Sequence, residues 1–103
     1  MPSVNGKDIK TVVVACEAGM GSSVLLTSQL SQRLAPYGVK VDHSPVNRVT
    51  DDSADVILCQ QGLAGRARQV APNTPVVTFN MFMGDPAFDT LEAAIRDGGT
   101  IDG

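Results

Sequence analysis

The sequence predicts an α/β fold: a single domain on a four-stranded parallel sheet flanked by helices. Three observations lead there. Short β-branched apolar runs alternate with segments of helical spacing, a pattern satisfied by parallel strands joined through right-handed crossovers. The runs at residues 11–15 and 54–59 are apolar almost throughout, as strands buried on both faces are. The chain has 103 residues, 43% of them hydrophobic, which supplies one modest core and no second.

Residues 1–10 are polar and aperiodic and read as a frayed start. The first strand is residues 11–15, Thr-Val-Val-Val-Ala. From Ser22 the apolar positions take helical spacing, with Met20, Val24, Leu26, Leu30 and Leu34 near one broad face; Pro36 and Gly38 end that helix. Residues 39–43 alternate apolar and polar and predict a shorter, less buried strand. The polar triplet 51–53 precedes a third strand at 54–59. Residues 62–70 predict a short helix carrying Leu63, Ala67 and Val70, closed by Pro72. A fourth strand follows at 75–79. The last helix covers 85–97, with Phe88, Leu91 and Ile95 at i, i+3 and i+7, and stops at Gly98 and Gly99.

Composition excludes several functions. Eight basic against 11 acidic residues give a net charge of −3, and no basic block exists to neutralise phosphates, so no nucleic-acid partner is expected. Trp is absent, with one Tyr and three Phe, which leaves base-stacking platforms poorly supplied. The apolar runs fall far short of the ~20 residues that cross a bilayer, and no leader pattern is visible. Two cysteines and one histidine, widely spaced, make neither a disulfide scaffold nor a metal site. The expectation is a small cytoplasmic domain with reduced thiols and no cofactor.

The chemistry concentrates in Cys16-Glu17-Ala18-Gly19-Met20-Gly21-Ser22-Ser23. A buried strand ends at Cys16, a glycine-containing loop follows, and a helix begins near Ser22. Ligands of open α/β sheets bind beyond the carboxyl ends of the strands. Gly19 and Gly21 let backbone N–H groups curl round a small anion, and the helix N-terminus adds donors and partial positive charge at the same point. Ser22 and Ser23 offer caps and hydroxyls. A cysteine in that field is favoured as thiolate, the form that attacks phosphorus to give a phosphocysteine.

Other residues carry weaker signals. Cys59 ends the third strand and reads as a small apolar filler near the same rim. His43 reads as a surface residue, with proton relay as the alternative. Asp85-Pro86 is explained by a helix cap followed by Pro at the first helical position, and a general acid is the competing role. Arg66 and Arg68 fit an acidic partner or a solvated face equally well. The run from Phe79 to Met83 reads as core and lid.

The loop from Cys16 to Ser23 resembles the active-site loop of the IIB proteins of the bacterial sugar phosphotransferase system, in the lactose/mannitol/ascorbate group. It is similar to the mannitol-type loop almost residue for residue, with Glu17 where Asp is usual. The stretches Ser53-Ala-Asp-Val-Ile-Leu and Gly62-Leu-Ala-Gly look similar to the ascorbate-type branch. The resemblance covers roughly residues 10–97. It implies a four-stranded parallel sheet with a phosphatase-like phosphate-binding loop after the first predicted strand. It implies that Cys16 takes a phosphoryl group from a phosphohistidine on a IIA protein or domain and passes it to a sugar held by a membrane IIC protein. Glu17 to Ser23 would surround the transferred group, with no metal or organic cofactor.

Two rival readings remain at this point. Low-molecular-weight tyrosine phosphatases share the cysteine-loop-helix logic but place an arginine after five intervening residues, where this chain has Ser22. A IIB-like domain could instead regulate transcription, since the chemistry at Cys16 would be identical. A dinucleotide-binding module is disfavoured, because Gly19 and Gly21 lack the third glycine.

Overall fold

β-branched runs become strands, helical periodicity becomes helices, and the crossovers set the order. The computed structural model describes residues 3–16, 21–81 and 84–102, with only the backbone described at 21–23. Along the chain lie β1 (Ser3–Asn5), β2 (Thr11–Cys16), α1 (Gly21–Leu34), β3 (Lys40–Pro45), β4 (Val56–Gln60), α2 (Ala64–Val70), β5 (Val76–Phe79), α3 (Pro86–Asp97) and β6 (Thr100–Asp102). The main sheet has four strands in the order β3-β2-β4-β5, all parallel, as the sequence predicts.

The period of two divides the core between the sheet's faces. Val12, Val14, Val41, Val56, Leu58 and Phe79 meet Leu26, Leu30 and Leu34 of α1 and Phe88, Leu91 and Ile95 of α3. Val13, Ala15, Ile57, Cys59 and Val76 meet Ala64 and Ala67 of α2, with Val46 and Val49. The inner strands β2 and β4 are therefore buried on both faces, whereas β3 at the edge fully buries Val41 alone. The small residues of α2 let that short helix lie close to the sheet. Each fully buried Leu, such as Leu34 or Leu91, contributes about 1.5–3 kcal/mol.

The structure departs from the sequence reading in three places. Residues 3–10 hold structure where a frayed start is expected: β1 pairs antiparallel with β6 in a separate two-stranded ribbon. Both strands are three residues long, too short for alternation to register. The ribbon is pinned to α3 at Gly6, where an added Cβ would stand 1.8 Å from the Ala94 carbonyl oxygen. Helix α1 starts at Gly21, so Ser22 and Ser23 belong to its first turn and not to its cap. Val24, expected on the inner face, is 52% exposed, while Thr27 is buried one turn further on.

Candidate functional site

All four parallel strands point their carboxyl ends to one rim. Ala15 of β2 is level with Cys59 of β4, and Cys59 with Thr78 of β5. One residue further, Cys16, Gln60 and Phe79 mark the same height, and Cys16 pairs with Pro45 of β3. Helices α1 and α3 both begin at this rim, each following a strand that ends there. Alternation places Cys16 with Val12 and Val14 on the face that α1 and α3 cover.

Cys16 is the last residue of β2 and is 7% exposed. Its Sγ–H donates to the Ser44 carbonyl at 3.6 Å, a weak bond that orients the thiol. Among the described residues no charged side chain is bonded to this sulfur. Nothing in the sequence marks Ser44 as its partner, because only the β2–β3 register brings that carbonyl within reach. Glu17, Ala18, Gly19 and Met20 lie outside the described residues. Gly21, Ser22 and Ser23 form the backbone of the first turn of α1, five to seven positions past Cys16.

Asp85 is the most heavily bonded side chain near the rim. Its Oδ1 accepts from the Ala87 N–H at 2.9 Å, which caps α3, with Pro86 at the first helical position. Its Oδ2 accepts from the N–H groups of Asn80 at 2.8 Å and Met81 at 3.1 Å. These donors, Ala87 first, hold the carboxyl below its ordinary value, so at neutral pH it has no proton to give. The cap reading stands and the general-acid reading does not. The bonds to residues 80 and 81 were not legible, since no short motif encodes them.

The other candidates separate cleanly. Cys59 is fully buried against α2, and burial pushes its thiol up to about 11. His43 is exposed on β3. Arg66 donates through Nε to Asn47 Oδ1 at 3.0 Å, and Arg68 lines a groove at the free edge of β5 with Thr78 and Thr90. Phe79 is buried against Phe88, with ring centroids 5.3 Å apart, whereas Met81 is 53% exposed. Phe82 and Met83 lie outside the described residues. No group of three or more His, Cys, Asp or Glu able to hold a metal occurs among the described residues.

Fold and rim together define a small open α/β domain with a thiol at the carboxyl end of an inner strand. The chain belongs to the family described as PTS system, Lactose/Cellobiose specific IIB subunit, whose model matches residues 11–92. It is 34% identical over 85 residues to the PTS system mannitol-specific cryptic EIICB component of Escherichia coli (strain K12), covering 81% of this chain and 18% of that protein. It is 32% identical over 85 residues to the PTS system mannitol-specific EIICB component of Geobacillus stearothermophilus, with the same coverage, 81% and 18%. It is 33% identical over 86 residues to the PTS system mannitol-specific EIICBA component of Vibrio cholerae, covering 82% of this chain and 13% of that protein. The chain thus spans less than a fifth of the length of these curated relatives. No helix among the described residues is long and apolar enough to cross a membrane.

Proposed function

We propose that the chain is a phosphocarrier of a sugar phosphotransferase system, with Cys16 as the residue that carries the phosphoryl group. The donor is a phosphohistidine on a IIA protein or domain. The Cys16 sulfur attacks phosphorus, an S–P bond forms, the N–P bond breaks, and the electron pair stays on the imidazole, which takes up the thiol's proton. A hydroxyl of a sugar bound by a membrane IIC partner then attacks the phosphocysteine; the O–P bond forms, the S–P bond breaks, and the hydroxyl's proton returns to the Cys16 sulfur. Transfer of this kind is catalysed by positioning and electrostatics. That work falls to the backbone from Glu17 to Ser23 and to the first turn of α1.

Family membership over residues 11–92 carries this reading, with the thiol at the sheet's carboxyl rim as its physical counterpart. The relatives' names favour a mannitol-type sugar and IIA and IIC partners, in trans or fused, and with them a cytoplasmic place beside the membrane. The test is intact-mass spectrometry after incubation with phosphoenolpyruvate, the general phosphotransferase proteins and candidate IIA proteins. One phosphoryl group mapped to Cys16, acid-labile and absent from Cys16→Ser, is expected. Acceptance by Cys16→Ser, or no adduct from any donor, overturns the reading.

A further inference from the structure

Asp85 makes more bonds than a helix cap needs. The cap is the bond from Ala87 N–H to Oδ1. The other oxygen reaches back four and five residues, to the N–H groups of Met81 and Asn80 where the chain leaves β5. The residue is only 8% exposed, so water competes poorly for these donors.

Those two residues are well placed to matter. Phe79 is level with Gln60, and Cys16 follows Ala15 at that same height, so Asn80 and Met81 emerge at the rim that carries Cys16. Two strand spacings, about 10 Å, separate β5 from β2. Phe79 packs on Phe88 of α3, and Asp85 then ties the next two residues to the start of that helix. Met81 is held there with its side chain outward, 53% exposed.

We propose that Asp85 is a positioning residue for phosphoryl transfer: its clamp on Asn80 and Met81 holds one wall of the approach to Cys16 in place before the phosphodonor arrives. The proposal rests on the phosphocarrier reading above. A preformed wall spares the encounter the entropy of ordering it, so losing the clamp weakens productive docking and leaves the chemical step alone.

The clamp and the cap can be separated by mutation. Ser caps a helix about as well as Asp but has a single oxygen, which cannot also reach residues 80 and 81. Asn caps equally well but presents an NH2 group where an acceptor stood, so it must surrender one of the two roles. Steady-state phosphorylation of the full chain by a phosphorylated IIA protein is compared for wild type, Asp85→Ser and Asp85→Asn. The expected result is a KM for the donor raised about tenfold with kcat within about twofold. Amide exchange at residues 80 and 81 should accelerate in Asp85→Ser more than exchange in β2 and β4, in a variant that melts lower than wild type but stays folded at the assay temperature. An unchanged KM in both variants, a loss in kcat alone, or unchanged exchange overturns the positioning role while Cys16 keeps its own. A wild type that accepts nothing from any donor overturns the phosphocarrier reading, and the positioning role falls with it.

Discussion

Cys16 and Cys59 lie on neighbouring strands, yet they sit at different heights and on opposite faces of the sheet. Cys16 ends its strand at the rim, while Cys59 stops one residue short and points into the layer under α2. At neutral pH Cys59 stays a thiol, because burial disfavours its charge. Cys59→Ser should therefore accept a phosphoryl group within about twofold of wild type. The same variant should lose about 1–3 kcal/mol of stability by burying a hydroxyl with no partner of its own. Urea unfolding and the mass assay check the two halves, and a large loss of transfer in folded protein would give Cys59 a role at the site. The contrast was legible in part. A cysteine closing an apolar run before a glycine loop is a visible pattern, whereas Cys59, which reads as a filler at the end of its predicted strand, lies one residue inside β4. The Ser44 carbonyl was invisible, because strand register is set by pairing across the sheet.

Among the elements, α3 shows how side chains replace missing backbone partners. Asp85 serves its start, Gly98 in the left-handed region ends it at φ 81°, and Glu92 midway accepts from Arg33 and from Tyr37, joining it to α1. The Asp85 carboxyl is held below its ordinary value by the Ala87, Asn80 and Met81 N–H groups. Its stabilising effect is thus complete above the unfolded value of about 3.9 and is lost as pH falls through the lower folded one. Glu92 shifts in the same direction, first through its bond from Arg33. Melting temperature should therefore drop as pH falls below about 4, and Asp85→Asn should flatten that acid limb. An identical acid slope in the variant would show that the three bonds do not persist in solution. The ribbon of β1 and β6 makes a steric prediction. Gly6→Ala drives a Cβ into the Ala94 carbonyl, so it should cost about 1–3 kcal/mol or melt the ribbon off α3, as chemical denaturation would show. Helices α1 and α3 were legible because their period repeats over several turns, and the inner strands because they are continuous β-branched apolar runs. The ribbon was not, because its six residues pair across nearly the whole chain and its one local sign, Gly6, reads as an ordinary turn glycine.

At the scale of the molecule the question is whether this architecture relays a phosphoryl group or releases it to water. A cysteine phosphatase on a similar fold needs an arginine to clamp the phosphoryl and a protonated acid for the leaving oxygen. The arginine position is Ser22. The one Asp-Pro pair suited to the acid has both carboxylate oxygens occupied by backbone N–H donors and is held ionised. What remains is a thiol at the end of an inner strand, on the rim where the strands before α1, α2 and α3 end. On the phosphocarrier proposal, such a rim takes a phosphoryl group and keeps it until a partner presents an acceptor. Incubation with an aryl phosphate should accordingly release no more than about one equivalent of the alcohol per chain, whatever the time allowed. Sustained release, abolished by Cys16→Ser, would make the protein a hydrolase and would require an acid other than Asp85. A flat trace beside rapid labelling by a phosphorylated IIA protein would show that this rim depends on its partners for both steps of the relay, the donor's histidine and the sugar's hydroxyl.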